Sequence, residues 1–556
     1  MVEVETNGIH PPYKANVPAP EDVNDSPIEQ VRLTVPITDD PKLPCLTFRT
    51  WVLGVISCAL LAFLNQFFVY RQNPLYISSV AAQIAVLPIG KFMAASLPNK
   101  IIYVPGTKWS FSLNPGPFNM KEHVLITIFA NSGSNPVYAV NIITIVKAFY
   151  HKDVHPLAAF LLSLTTQMLG YGWAGVFRKF LVDSPYMWWP ANLVQVSLFR
   201  ALHDDETRPK KGLTRLQFFV VVFVSSFAYY IVPNYLFPSI TALSFICWIW
   251  KDSITAQQIG SGLKGLGIGS FALDWSTISS FLGSPLATPG FAVINLLAGF
   301  IIILYIMIPI AYWTDSYGAK RFPIFSSHVF NATGQPYDVE LVLNSSSFSF
   351  NESAYDAYSK VHLSIFFVYM VSALLYWQPH CLMLHFSMEG FGRQLQLPYW
   401  GVLLSISLAL FFTLPIGVIQ ATTNQQPGLN VITELIIGYM YPGRPLANVA
   451  FKTYGYISMS QALMFLSDFK LGHYMKIPPK SMFTVQRYRM WWARHNYILS
   501  AGLDAGVAFL AILCYFTLQL KNINGPEWWG LQLDDHCPLA KCPTAPGVVA
   551  EGCPVL

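Results

Sequence analysis

The chain has 556 residues, of which 53% are hydrophobic and only 11% charged. A soluble domain typically carries about 25% charged residues. A soluble fold is excluded, because it has too little polar surface to cover so much apolar side chain, and lipid must supply the missing environment. The formal net charge of +5 is spread along the chain and points to no nucleic-acid partner.

Residues 1–44 are polar, Pro-rich and acidic in patches, as at Asp39-Asp40. They read as a disordered cytosolic tail. The first long apolar run begins only near Trp51, so no cleavable signal peptide is expected. A membrane-crossing helix needs about 20 mostly apolar residues. Such runs lie at 51–70, 76–97, 122–148, 157–177, 216–235, 290–312, 361–384, 399–419, 446–467 and 496–519, with weaker ones at 185–202 and 238–252. The sequence therefore predicts an all-α, polytopic integral membrane protein over 45–519, followed by a C-terminal tail at 520–556. Trp and Tyr, amphipathic rings that gather where membrane meets water, contribute 15 and 28 residues.

The one long polar interruption, 314–360, holds three acceptor sequons headed by Asn331, Asn344 and Asn351. Such sequons mark a loop outside the cytosol. Basic residues mark the opposite side. They cluster at Arg208, Lys210, Lys211 and Arg215, and again at Lys470, Lys476, Lys480, Arg487, Arg489 and Arg494. If 185–202 dips in and returns, crossings at 216–235, 238–252 and 290–312 put the sequon loop outside. The count of crossings is then odd, leaving the C-terminal tail outside as well.

Four stretches break the rules for backbone in lipid, which tolerates irregular chain only where protein or water covers it. They are Asn114-Pro115-Gly116-Pro117-Phe118-Asn119, Gln257–Ser270, Ala421–Asn430 and Lys476-Ile477-Pro478-Pro479-Lys480. Broken helices of this kind point to transporter binding sites. The second contains Gly260-x-Gly262-x-x-Gly265, a formal dinucleotide fingerprint without its flanking strand, so nucleotide binding is not expected. A re-entrant segment and close helix packing through small residues both remain open there.

Carboxylates in or near apolar runs are Glu122, Asp183, Asp274, Glu434 and Asp468. An intramembrane carboxylate is costly and is a functional candidate by default. Glu434 has the most apolar neighbours and follows the polar patch Asn424-Gln425-Gln426. Desolvation favours the protonated form of a carboxylate, so Glu434 is the preferred proton carrier and Glu122 beside His123 the second. Interfacial or capping roles stand as the alternative, and fit Asp183 and Asp468 best. The eight Cys are scattered and make no CxxC pair. Cys537, Cys542 and Cys553 share the tail with His536, where a loose polar tail is expected rather than a metal site. No catalytic motif, metal site or cofactor site emerges.

The segments NPGPFNMKEHVLITIFAN (114–131) and KIPPKSMF (476–483) resemble the two signature motifs of the oligopeptide transporter family. SPYMWWPANLVQVSLFRALH (184–203), GSGLKGLGIGSFALDWS (260–276) and ATTNQQPGLNVITELIIGY (421–439) are similar to the same family, in the wording of its plant peptide-transport branch. The resemblance implies a secondary transporter at the plasma membrane, importing short peptides, glutathione-like thiols or metal chelates together with protons. Lys480 stands where the signature more often has Arg, losing a bidentate fork.

Two joints depart from the family pattern. Around 376–388 a short unfamiliar stretch leads directly into Glu389, where family members continue through further helices. At Gln486–Arg487 the chain likewise skips several spanning segments. Family members are expected to keep both termini in the cytosol, unlike the odd count here. A splice variant or incomplete gene model follows, and with it a second function: a non-transporting product that modulates a full-length transporter.

Overall fold

Apolar runs long enough to cross a bilayer set the frame of the molecule. The computed structural model describes residues 26–36, 39–70, 77–103, 110–134, 138–148, 154–204, 213–280, 283–344, 349–368, 397–478, 481, 496–521, 523, 527–532 and 535–555. Five helices among these residues are long and apolar enough to span: Phe48–Val69, Ser79–Ser96, Arg215–Leu236, Gly290–Trp313 and Tyr399–Thr423. Their outward faces carry exposed Val55, Ile56, Phe63, Ile294, Leu297 and Phe411. Such unbroken apolar surface suits lipid. The chain is thus a mostly helical, multi-pass membrane protein.

In chain order the helices are α1 (Glu29–Thr34), α2 (Phe48–Val69), α3 (Ser79–Ser96), α4 (Met120–Ser134), α5 (Tyr138–Ala148), α6 (Pro156–Leu181), α7 (Pro190–His203) and α8 (Arg215–Tyr229, extended by a π turn over Val232–Leu236). Short α9 (Phe245–Ile249), α10 (Ile254–Gly260) and α11 (Trp275–Ser280) precede α12 (Gly290–Phe300), which a π segment joins to α13 (Ile308–Trp313). After α14 (Glu352–Tyr358) come α15 (Tyr399–Thr423), α16 (Asn430–Met440), α17 (Pro445–Lys452), α18 (Ser458–Tyr474) and α19 (Asn496–Thr517). The strands are two- and three-residue antiparallel pairs, such as Ile101–Tyr103 with Ser110–Ser112.

Helix pairs approach through small residues. α2 lies along α4, and α6 along α18. Gly133 of α4 sits against the Cys58 backbone of α2, and Gly170 of α6 against Gln461 and Ala462 of α18; neither site has room for a Cβ. Close backbone approach of this kind replaces the hydrophobic drive that helices lack inside lipid.

Contacts sort the connections into two ends. At one end Asn65 of α2 bonds Ile77 and Ser134, Leu343 packs with Leu446, and Phe350 N–H donates to the Gly443 carbonyl at 3.1 Å. Both disulfides, Cys247–Cys537 and Cys542–Cys553, lie at this end. At the other end Val31 and Val35 of the N-terminal segment share a core with Trp188, Phe199, Ala287, Tyr474 and Ile477. We call these the disulfide end and the signature end.

The structure corrects four expectations. Residues 26–36 are ordered rather than disordered, because Val31 and Val35, one helical turn apart, are both buried against the core; residues 1–25 lie outside the described residues. The run 238–252 is no crossing helix: it breaks into a 3-10 turn, a two-residue strand and α9. The return is made instead by irregular chain around α11. Leu273 N–H bonds the Ile240 carbonyl at the disulfide end, whereas Ala287 packs at the signature end. The 24 residues of Gly290–Trp313, about 36 Å long at 1.5 Å per residue, then run back. The run 122–148 is two helices, α4 and α5, and the run 446–467 carries a π segment at Thr453–Ile457. Finally, the C-terminal tail is not loose. Cys247–Cys537 ties it to α9 and Cys542–Cys553 closes a loop within it, so its three Cys thiols are spent in S–S bonds and offer no metal ligand. The run 361–384 is described only to residue 368, and the joints at 376–388 and Gln486–Arg487 lie outside the described residues.

Candidate functional site

The first signature motif folds as a clasp. Pro115 and Pro117 bar a helix before α4, and Gly116 takes φ +134°, a conformation open to Gly. Asn114 Nδ2 donates to the Ala94 and Leu97 carbonyls, both at 2.8 Å, closing the C-terminus of α3. Its Oδ1 accepts from Arg49 at 3.1 Å, and the same guanidinium donates to the Gly116 carbonyl at 2.8 Å. Arg49 also meets Glu122 in a two-pronged ion pair at 3.0 Å, with both side chains fully buried. Glu122 accepts further from Thr47 and from Asn119 N–H and Nδ2. Lys121 pairs with Asp39 at 2.7 Å, which fastens the N-terminal segment to the clasp. A carboxylate so fully paired holds the motif together.

His123, one residue on, is buried and makes two bonds. Its Nε2 lies 2.7 Å from the Gln83 carbonyl, and its Nδ1 lies 2.8 Å from Nε2 of His203 on α7. A carbonyl only accepts, so His123 carries its proton on Nε2 and its Nδ1 accepts from His203. Phe118 and Phe199 pack on the pair.

A second clasp joins α6, α7 and α18. Trp189, at φ +48°, lets α7 begin at Pro190; its N–H donates to the Ala421 carbonyl and its Nε1 to the Leu181 carbonyl, both at 2.8 Å. Asn192 and Ser467 exchange two bonds at 2.8 Å. Lys470, expected in a cytosolic basic loop, is buried instead. Its Nζ donates to the Val182 and Ser184 carbonyls at 2.6 and 2.8 Å. These carbonyls close the C-terminus of α6, where a cation complements the helix dipole. The second signature motif follows directly. Lys476 takes φ +54°, Ile477 is buried with its N–H on the Gly472 carbonyl, and Pro478 is exposed. Pro479 and Lys480 lie outside the described residues.

The glycine-rich stretch is a compact, partly exposed knot, with Leu266 buried and Leu263 and Ile268 exposed. After α10 the chain folds back, with Leu266 N–H on the Gln258 carbonyl and Gly267 N–H on that of Ser261. The C-terminal tail covers it. Buried Asp535 accepts from Ser261 Oγ and Leu263 N–H, Gln257 Oε1 accepts from Leu539 N–H at 2.7 Å, and Gln258 donates to the Cys542 carbonyl at 2.9 Å. Asp274, also buried, accepts from the backbone and hydroxyls of Ser276 and Thr277, capping α11.

The remaining predicted residues separate. Asn424 ends α15 at φ +61°, with Gly283 of the irregular return beside its side chain. Gln426 donates to Ser460 at 3.2 Å, while Gln425 turns its N–H to Thr423. Glu434 does not sit in an apolar setting. It pairs with Lys452 at 2.7 Å and is 39% exposed, because Lys452 reaches across from α17. Asn331 and Asn351 organise their own turns through Oδ1, in bonds from Thr333 and Gln335 and from Ser353 and Ala354. Asn344 is exposed on a short strand.

Arg49, Gln83, His203 and the Cys247 pairing were not singled out from sequence. Arg49 offered one signal, an isolated cation at the head of an apolar run. His203 and Cys247 offered none, since their partners lie 80 and 290 residues away.

A family model described as OPT oligopeptide transporter protein matches residues 45–380 and 381–487. The two stretches meet within the first joint and end at the second. Among Arabidopsis thaliana proteins, the chain is 49% identical to Oligopeptide transporter 1 and 48% identical to Oligopeptide transporter 5, each over 96% of both sequences. It is 43% identical to Oligopeptide transporter 7, over 95% of this chain and 93% of the relative. The first alignment runs over 726 positions, more than the 556 residues present, so the relative holds internal stretches that this chain lacks. The family is one of transporters, not enzymes. Matched from three residues before α2 past the second signature motif, the chain belongs to the oligopeptide transporter family.

Proposed function

We propose that this chain imports short peptides or peptide-like conjugates across the plasma membrane, driven by co-transported protons. The observation that carries this reading is the family match spanning both signature motifs. Relatives named oligopeptide transporters, nearly half identical to this chain, supply the substrate class. Glutathione-type thiols and metal chelates share the peptide-like backbone and charge of such substrates.

Orientation follows from chemistry at the two ends. Disulfides persist in oxidising surroundings, and the sequons acquire glycans only outside the cytosol. Both features fall at the disulfide end, so that end faces outward. The signature end, with Arg215 and Lys476, faces the cytosol in keeping with the positive-inside rule. Import then runs from the disulfide end to the signature end. Irregular chain at 283–288 and 424–429, brought together at Gly283 and Asn424, is where an alternating pathway would open.

The reading is tested by expressing the chain in cells lacking their own peptide transporter. Labelled tetrapeptide and glutathione should enter faster at acidic than at neutral external pH, and a protonophore should abolish the difference. Uptake equal to untransfected cells at every pH would overturn it.

A further inference from the structure

Helices α3 and α7 pack through Val80, Leu198 and Ala201. Beside this apolar contact runs a polar seam that a membrane interior does not carry without use. Gln195 Nε2 donates to Ser79 Oγ, and Gln83 Nε2 to the Gln195 carbonyl, both at a long 3.5 Å. The Gln83 carbonyl accepts from His123 at 2.7 Å, and His123 accepts from His203 at 2.8 Å. Gln83 and His123 are fully buried. Three oxygens of the seam, Ser78 Oγ, Gln83 Oε1 and Gln195 Oε1, have no hydrogen-bond partner among the described residues. Buried acceptors of this kind are the groups that ordered water satisfies.

The seam has direction. Ser78 follows Ile77, which is bonded to Asn65 at the disulfide end. His203 ends α7, half-buried, one residue before Asp204. It also has a defined proton site. With His123 Nδ1 accepting from His203 Nε2–H, the lone pair left on the pair is His203 Nδ1. A proton arriving there keeps both existing bonds, whereas a proton on His123 Nδ1 would set two N–H groups face to face. Most of the nearby charge is paired off. Arg49 and Glu122 neutralise each other, and Arg200 is closed on Asp204 at 2.8 Å. Burial first, and then the cation Lys91 of α3, hold the His203 imidazole down at about 4, so a proton bound there is released readily.

We infer that this seam carries the coupled proton, from Ser78 past Gln195 and Gln83 to the His123–His203 pair, with His203 Nδ1 binding and then releasing it toward the signature end. The inference rests on the proton coupling proposed above. It replaces Glu434 and Glu122, each already closed in an ion pair, as the carrier.

The test uses the purified full chain in proteoliposomes with a radiolabelled tetrapeptide. A gradient of about one pH unit supports at most about tenfold accumulation per coupled proton. His203→Gln and Gln195→Leu should keep peptide exchange at equal pH but lose gradient-driven accumulation. Wild-type accumulation and pH profile in both variants would overturn the inference, as would loss of exchange in both, which marks a purely structural role. Exchange without gradient dependence in the wild type defeats the coupling reading itself, and the seam with it.

Discussion

Arg49 and Glu122, 73 residues apart, form a fully buried ion pair whose spare hydrogen-bonding capacity is taken up by Asn114, Gly116, Thr47 and Asn119. Breaking one partner of such a pair leaves an unpaired buried charge and costs about 3–5 kcal/mol. Arg49→Ala and Glu122→Ala should each lower the thermal midpoint of the detergent-solubilised protein sharply. Glu122→Gln, which removes charge but keeps the shape, should be milder. Equal melting of wild type and Arg49→Ala would show that the clasp does not stabilise the fold.

The two disulfides make a covalent prediction. Among the cysteines of the described residues, under denaturing, non-reducing conditions, maleimide should label Cys45, Cys58 and Cys514, whereas Cys247, Cys537, Cys542 and Cys553 should react only after reduction. Losing a disulfide typically costs about 2–5 kcal/mol, more for longer loops. Cys247→Ser should therefore destabilise more than Cys553→Ser, since the closed stretches span 290 and 11 residues. Thermal melting with and without reductant measures both effects.

Glycosylation tests orientation. Exposed Asn344 and Asn351 and half-buried Asn331 should carry glycans in a eukaryotic host, and glycosidase should shift the protein to lower mass. Asn331→Gln should remove one step of that shift. Protease cleavage of the 314–360 loop from the cytosolic side would contradict the orientation.

Glu434→Gln should leave the pH dependence of uptake unchanged, because the carboxylate is occupied by Lys452. Its effect on stability should stay within about 1 kcal/mol, the range for a partly exposed pair. A flattened pH profile would restore Glu434 as the proton carrier.

Local chemistry made much of this molecule readable. Apolar runs such as 399–419 became helices, and Pro115, Gly116 and Pro478 marked breaks that the structure keeps. What stayed hidden depended on distant partners. The run 238–252 is apolar enough to mimic a crossing, but Cys247 is tied to Cys537 and the chain turns back. Lys470 has the look of a cytosolic basic residue, yet the carbonyls closing α6 draw it inside. Glu434 has apolar neighbours in sequence, and only the fold brings Lys452 to it. The Gly-rich stretch was ambiguous because its covering tail begins more than 250 residues later.

The most direct test is uptake by the purified 556-residue chain, without the internal stretches its relatives carry. Proteoliposomes holding it should accumulate labelled tetrapeptide when the side facing the disulfide end is acidic, and should lose that accumulation when the gradient is collapsed. Correctly folded protein, with both disulfides formed, that moves no peptide under either condition would contradict the account.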